Sequence, residues 1–121
     1  MYSRIRIGTR IVAIPNISEL NLLHDRICQA LGDPRRIQIM YALAESRRHV
    51  SAIAEALDMP QSTVSRHLAL LRQRGLVTAD REGPAVYYDL ADPRMIDVLD
   101  TMRQILRDSF ERLSSPLSDE L

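Results

Sequence analysis

Polar side chains with the donors and acceptors that proteins direct at nucleic acid are concentrated in one segment of the chain. Six of them fall between positions 61 and 73, and an arginine comes shortly after: Gln61, Ser62, Thr63, Ser65, Arg66, Gln73 and Arg81. Serine and glutamine can hydrogen-bond to base edges, and arginine pairs with phosphate. No Asp or Glu occurs between Gln61 and Gln73, although an ordinary solvated helix face carries acids as well. The segment therefore predicts a surface that contacts double-stranded DNA.

These side chains share a surface only if the segment is helical. Pro60 precedes it and Gly75 follows it, so the spacing predicts a helix over about 61–74. With Val64 facing inward, a rotation of about 100° per residue puts Leu68 and Leu71 beside it. The opposite side is small and polar: Ser62, Ser65, Arg66, Ala69 and Gln73. His67 falls on the flank, and the pattern leaves open whether it packs inside or contacts DNA.

The elements around this helix predict a winged helix-turn-helix, which is mainly α with a small β-hairpin. A short helix capped by Ser51 and broken at 58–60 precedes it, as in the helix-turn-helix, whose second helix enters the groove. Strand-like segments at 76–80 and 85–90 flank Arg81-Glu82-Gly83-Pro84 and indicate a hairpin, the candidate wing. Further helices are predicted at about 18–32, 33–46 and 92–113.

The last helix has a wider apolar face than a domain of this size can cover. We expect it to meet the first helix in the shared core of a homodimer, formed by Leu20, Leu23, Ile27, Ile96, Leu99, Met102, Leu106 and Phe110. Each large side chain buried there would contribute about 1.5 to 3 kcal/mol. A two-fold dimer requires a roughly palindromic DNA operator.

The length of 121 residues predicts one compact domain. We expect an N-terminal arm at 1–16, the DNA-binding and dimerisation domain at 17–114 and a flexible tail at 115–121. Residues near the start alternate Arg with Ile, a period-two pattern that fits either a short strand or a loose arm, and we interpret it as an arm.

The composition excludes several classes of protein. The 16 basic and 16 acidic residues cancel, so overall charge does not identify a partner. No apolar stretch approaches the roughly 20 residues of a membrane span, and the start lacks the apolar block of a secretory signal. We expect a cytoplasmic protein without a membrane partner. An enzyme finds no support, because no phosphate-binding loop, paired carboxylates or nucleophile arrangement is present.

Cys28 is the only cysteine, so a disulfide within one chain is excluded. His24 lies four residues before it on the predicted first helix, and two such pairs across a dimer would supply four metal ligands. The position of Cys28 between Ile27 and Leu31 favours a small packed residue instead. We therefore predict no metal and no cofactor.

Three stretches resemble the ArsR (arsenic-repressor-like) family of transcriptional regulators in order and spacing. LDMPQSTVSRHL at 57–68 resembles its recognition segment, ALGDPRRI at 30–37 its second-helix start, and REG at 81–83 with VYY at 86–88 its wing. The resemblance implies a winged-helix homodimer, paired through its first and last helices, that represses genes until a signal releases it from DNA. Pro60 and Pro84 depart from the usual serine cap and basic wing residue.

The resemblance also implies positions at which relatives hold metals. One site has cysteines where this chain has His49 and Ser51, and another aligns with Asp92, Arg94, Ile105 and Asp108. Without a thiolate pair in the first, and with a cation and an apolar side chain in the second, neither site is complete. The inducing signal is not identified by the sequence. The alternative function is a winged-helix interaction module without DNA binding, which would expose apolar side chains on the helix at 61–74.

Overall fold

The computed structural model describes residues 4–7 and 10–113, with side chains from Ala13 onward. Its elements in chain order are β1 (Arg4–Ile7), β2 (Arg10–Ala13), α1 (Ile17–Leu23), α2 (Pro34–Glu45), α3 (Val50–Leu57), α4 (Gln61–Gln73), β3 (Val77–Glu82), β4 (Ala85–Leu90) and α5 (Arg94–Leu113). The predicted fold class, a mainly helical winged helix-turn-helix with a hairpin, is confirmed.

The core lies where α2, α3 and α4 meet. Its fully buried large side chains come from all three helices: Ile39, Met40, Leu43, Ile53, Val64, Leu68 and Leu71. The start of β3 closes this core with Val77, and α5 adds the partly buried Ile96. Each helix therefore buries one stripe and leaves its opposite side in solvent.

Local capping explains where most helices begin. Asp33 accepts a hydrogen bond from the Arg35 N–H at 2.9 Å, and Pro34 occupies the first turn of α2. Asp92 accepts from the Arg94 N–H at 3.0 Å at the start of α5. The predicted Ser51 cap of α3 is wrong by two residues. His49 is the cap, because its Nδ1 accepts from the Ala52 N–H at 3.4 Å, and Ser51 lies inside the first turn.

The predicted first helix is not regular throughout. It is α-helical to Leu23, continues as a π-helix from His24 to Cys28 and ends in a 3₁₀ turn at Ala30–Gly32. The N–H of Gln29 donates to the carbonyl of His24, five residues back, at 3.0 Å. A π turn adds a residue to the helical turn and rotates the residues after it about the helix axis. Ile27 and Leu31 accordingly pack against the core, whereas Leu23 stays exposed.

A single left-handed residue makes the bend between α3 and α4. Asp58 has φ 53° and ψ 52°, and the Met59 N–H donates to the Ala54 carbonyl at 3.0 Å. Such a residue ends a helix in the manner usually reserved for glycine or asparagine. The bend lets α4 start three residues later at an angle to α3.

The wing is the antiparallel pair β3 and β4, in register from Val77 opposite Leu90 to Glu82 opposite Ala85. Its turn is only Gly83 and Pro84, and Gly83 has the positive φ of 61° that such a tight hairpin needs. The expectation that Arg81 and Glu82 belong to the turn is corrected, because both are strand residues. Arg48 joins the sheet at one point, since its N–H and carbonyl both bond Tyr88.

The N-terminal alternation corresponds to strands rather than to a loose arm. Residues 4–7 pair antiparallel with residues 10–13, with Arg4 opposite Ala13 and Ile7 opposite Arg10. Two-residue periodicity is what a paired strand produces. The predicted tail at 115–121 lies outside the described residues. Across the described part of the chain, no helix has both the length and the apolar character needed to cross a bilayer.

Candidate nucleic-acid interface

The inner side of α4 is anchored throughout its length. Val64, Leu68 and Leu71 have no exposed surface, and His67 is 4% exposed. They pack against α2 and α3, whose own core residues face them. Because this side is fully covered, α4 has one fixed rotation about its axis. The opposite side must therefore face solvent.

That outer side carries the residues that the sequence selected for DNA contact. Gln61, Ser62, Ser65, Arg66 and Gln73 are all exposed, as is Ala69 between them. Thr63, also selected, is half-buried. The division into inner and outer faces is thus the one expected from helical periodicity. Contact of these residues with DNA stays a prediction.

The start of α4 has an electrostatic character of its own. Its capping residue is Pro60, which makes no side-chain capping bond, and the carbonyl of Pro60 accepts from the N–H groups of Thr63 and Val64. The first turn of the helix therefore has no side-chain cap in the described structure. A helix N-terminus of this kind favours phosphate.

Two predicted cations are free to meet phosphate. Arg66 and Arg81 are exposed, and neither forms an ion pair within the described residues. The neighbouring Arg47 is held instead, since its guanidinium bonds Glu82 at 2.9 Å and lies 4.5 Å above the Tyr87 ring. Burial alternates along β3 only as far as Asp80, and Arg81 lies in the exposed outer end of the strand.

A third free cation was not selected from the sequence. Arg72 is exposed, and the described part of the chain offers it no acid. It follows Ser65 by seven residues, or about two helical turns, so both lie on the same side of α4. The seven-residue spacing from Ser65 could have identified Arg72 from the sequence. Arg72 therefore adds a cation to the part of the predicted surface that ends at Gln73.

His67 joins α4 to the beginning of α2. Its Nδ1 lies 3.4 Å from Nη1 of Arg36, and its Nε2 lies 3.9 Å from Oδ2 of Asp33. Because a guanidinium only donates, Nδ1 is the acceptor and the proton of the neutral ring is on Nε2. Arg36 also donates to the carbonyls of Ala30 and Gln29. The sequence left open whether His67 packs inside the domain or contacts DNA, and the structure shows it packed inside.

Burial dominates the titration of this histidine. It lowers the pKa of His67 below 6.5, against the opposing effect of the Asp33 carboxylate, and three nearby arginines, one of them Arg66, lower the pKa further. Arg35 lowers the pKa of Asp33 to about 2 by donating hydrogen bonds from its side chain and backbone. The junction therefore contains an ionised Asp33 beside a neutral imidazole.

The residues predicted for the dimer interface separate into two groups. Met102 and Leu106 are about half exposed, at 51% and 50%, Leu23 is exposed, and Leu20 and Phe110 are partly buried. Ile27 and Ile96 already pack against the subunit core. Leu99 is only 2% exposed, so its side chain already packs within its own subunit. Val98 and Ile105 of α5, not selected from the sequence, are also exposed.

The residues at the two metal positions implied by the family resemblance contact other groups of the chain. The Ser51 hydroxyl lies 2.6 Å from Nδ1 of His49, which caps α3. The Asp92 carboxylate bonds the Arg94 side chain, with a shortest distance of 2.7 Å, and this pairing lowers the pKa of Asp92 to about 2. Ile105 offers no donor. Within the part of the chain that the structure describes, no three His, Cys, Asp or Glu side chains gather as a metal site.

The family described as bacterial regulatory protein, arsR family, matches residues 33–79. These residues run from the Asp33 cap through α4 into β3. The HTH-type transcriptional repressor SmtB of Mycobacterium tuberculosis is 41% identical over 73 residues, which are 60% of this chain and 54% of SmtB. The chain thus spans little more than half the length of that relative.

Two solved structures resemble the fold over larger shares. One is the homodimeric winged helix-turn-helix DNA-binding domain of a possible ArsR-family regulator from Mycobacterium bovis. It is 34% identical, with a TM-score of 0.63, over 86% of this chain and 97% of that domain. The other is the cadmium metal-sensor CmtR from Mycobacterium tuberculosis. It is 38% identical, with a TM-score of 0.58, over 68% of this chain and 85% of CmtR.

The His67 junction predicts a pH-dependent stability. Below about pH 6.5 the unfolded chain takes up the proton more readily than the buried ring, so the free energy of unfolding should fall as the pH is lowered. Urea unfolding between pH 7 and 5 measures this, and NMR titration of the ring should give a pKa below 6.5. His67→Gln should flatten the curve. A His67→Gln curve parallel to the wild-type curve would contradict the assignment.

Proposed function

Because the chain belongs to the arsR family of bacterial regulatory proteins, we propose that it is a homodimeric transcriptional repressor that binds DNA through α4. The observation that carries this proposal is the outer face of α4, which is exposed, free of acids and furnished with arginines that pair with no acid in the described structure. An interaction module would expose apolar side chains there, and this face has none larger than Ala69.

In the proposed complex, the polar residues and the arginines of this surface contact different parts of the DNA. Gln61, Ser62 and Ser65 lie at the start and outer side of α4, where a recognition helix approaches base edges. Arg66, Arg72 and the wing residue Arg81 hold phosphates. Thr63 and Gln73 lie at the margins of this surface. The short side chains of the outer face let the helix backbone approach the groove closely.

The proposed dimer covers the apolar side chains left open on α1 and α5. The exposed side chains of α5 follow three- and four-residue spacing along one stripe, which the partly buried Phe110 continues: Val98, Met102, Ile105 and Leu106. A stripe of this length on a single helix is typical of an interface. Two copies related by a two-fold axis would present two α4 helices to half-sites about one DNA turn, or a multiple of it, apart.

The proposed repressor is released by a signal other than a metal at the positions that relatives use. Ser51, Arg94 and Ile105 do not supply ligands, and the Asp92 carboxylate is occupied by Arg94. In this respect the proposed repressor differs from the cadmium metal-sensor CmtR, to which the chain is similar.

Arginine and polar substitutions on α4 should have different phenotypes. Arg66→Ala should weaken binding to every duplex and reduce the salt slope by about 1 for each phosphate that the side chain neutralises. Gln61→Ala or Ser65→Ala should instead cost about 1 to 3 kcal/mol, chiefly on the operator. Fluorescence anisotropy on an operator selected from a random duplex pool measures both effects.

The matched control for these variants is Arg112→Ala, which removes an exposed arginine from the far end of α5. It should leave affinity and salt slope unchanged. If the unaltered protein binds no duplex at low salt, or if Arg66→Ala changes neither quantity, α4 is not the recognition helix and the interaction module takes its place.

Charge placed on the α5 stripe should prevent dimerisation. Met102→Glu with Leu106→Glu should give a monomer in sedimentation at micromolar concentration, because two desolvated carboxylates would face the partner. Gln104→Glu with Arg107→Gln changes the net charge equally on the other side of α5 and should stay dimeric. A folded monomer for the unaltered chain would contradict the proposed interface.

Zinc or cadmium should leave the complex with DNA intact. The measurement is a titration of each ion into the protein bound to its operator, monitored by anisotropy and by equilibrium dialysis. Stoichiometric sub-micromolar binding that releases DNA would overturn this prediction. His24, Cys28 and His49 would then be the residues to replace.

A further inference from the structure

The first helix is attached to its own subunit at its end. None of the residues of α1, Ile17–Leu23, is buried. After it, Ala30 is fully buried, and Ile27 and Leu31 pack against the core. The other proposed dimer helix, α5, is held in its subunit by the buried Leu99. The direction of α1 therefore depends on how the residues that follow it are fixed to the domain.

One guanidinium, that of Arg36 in the first turn of α2, joins these residues to the domain. Its Nε donates to the Ala30 carbonyl at 2.6 Å, and its Nη2 donates to the Gln29 carbonyl at 3.2 Å. Its Nη1 lies 3.4 Å from Nδ1 of His67 in α4. The Arg36 side chain is only 17% exposed, so all three of its nitrogens are directed at partners within the domain.

These hydrogen bonds fix a direction that apolar packing leaves free. The last carbonyl groups of a helix lack partners within it, and Gln29 and Ala30 lie where the π-helical segment passes into the 3₁₀ turn. Hydrophobic contacts such as that of Ile27 are not directional, whereas hydrogen bonds to one planar guanidinium require particular distances and angles. Arg36 therefore sets the angle at which the first helix leaves the domain.

A second contact joins the same residues to the far end of α4. Nη1 of Arg74, which caps the end of α4, donates to Oε1 of Gln29 at 3.3 Å. Gln29 thus contacts Arg36 through its carbonyl and Arg74 through its side chain. The end of the first helix is consequently linked to α4 at two points, near its middle through Arg36 and His67 and at its last turn through Gln29.

We infer that Arg36 is a positioning residue that sets the distance and angle between the two α4 helices of the dimer, and hence the half-site spacing that the protein accepts. The inference rests on the proposed homodimeric repressor, in which α1 contributes to the interface. A change in the direction of α1 relative to its domain moves one α4 relative to the other. Because about 10 base pairs make one turn of DNA, one extra base pair turns a half-site by about 35°, beyond the reach of a rigid dimer.

The test uses duplexes with both half-sites of the selected operator, at the selected spacing and at spacings longer or shorter by one base pair, and a duplex with a single half-site. By fluorescence anisotropy, the wild-type protein should bind the selected spacing at least about tenfold more tightly than either neighbouring spacing. Arg36→Met keeps the stem and removes every donor. It should reduce this preference to below about threefold and bind the single half-site within about twofold of wild type. A wild-type spacing preference in dimeric Arg36→Met overturns the inference.

Two further variants separate geometry from charge. Arg36→Lys keeps the charge, but an ammonium cannot reach both carbonyls and His67 at once, so its spacing preference should fall as in Arg36→Met. Arg35→Met makes the same change at the neighbouring exposed arginine and should keep the wild-type preference. Equal losses in Arg35→Met and Arg36→Met would assign the effect to charge and overturn the inference. Sedimentation at micromolar concentration checks that each variant is a dimer.

A milder variant decides the case in which neither Arg36 variant folds. Gln29→Ala removes the side-chain contact with Arg74 and leaves the carbonyl that Arg36 holds. Its spacing preference should fall at least about twofold, and an unchanged preference overturns the inference. A wild-type protein that is monomeric or binds no duplex overturns the proposed repressor and this inference with it. A wild-type dimer that binds the operator without any spacing preference overturns this inference alone.

Discussion

The complete burial of one side of α4 is the constraint on which the rest of the structure depends. Val64, Leu68 and Leu71 have no exposed surface, and they meet side chains from α2 and α3. Since a close-packed core does not permit rotation of the helix, the polar side is held toward solvent without contacts of its own. The side chains of that outer face form no hydrogen bond or ion pair within the described structure, so they remain available to another molecule.

The same packing makes α4 sensitive to elements far from its outer face. His67 connects it to Asp33 and Arg36 at the start of α2, and Arg36 holds the carbonyls of Ala30 and Gln29 after the π-helical segment. At the other end, Asp58 sets its direction relative to α3. A ligand or partner that displaces α2, α3 or the residues before them would therefore also displace α4, because α4 packs directly against them.

The α5 helix has a different relation to the core. Leu99 is buried and Ile96 packs on the core, but the stripe through Met102 and Ile105 is uncovered in the single subunit. One helix therefore belongs to two cores, its own subunit's and the proposed shared one. Tyr41 of α2 donates a hydrogen bond to Asp100 of α5 at 2.6 Å. This contact joins α5 to the helices of its own subunit.

The fold class, the two sides of α4 and the bounds of α2, α4 and α5, to within one or two residues, were predictable from the amino-acid sequence. These are set by local rules: a cap such as Asp33, a stop such as Gly75, and 3.6-residue periodicity act within a few residues of themselves. The outward position of Ser62, Ser65 and Arg66 was available for the same reason.

Which of several similar residues have partners depends on how the helices and strands pack together. Arg47 and Arg66 are both arginines. Arg47 is paired with Glu82, 35 residues away, whereas Arg66 forms no ion pair in the described structure. Leu99 and Met102 are neighbours on one helical stripe, yet only Leu99 reaches the core. The π turn at His24, the burial of His67 and the unpaired Nε of Arg48 likewise depend on contacts between distant segments. Periodicity describes one helix at a time, and such contacts exist only once several helices have packed.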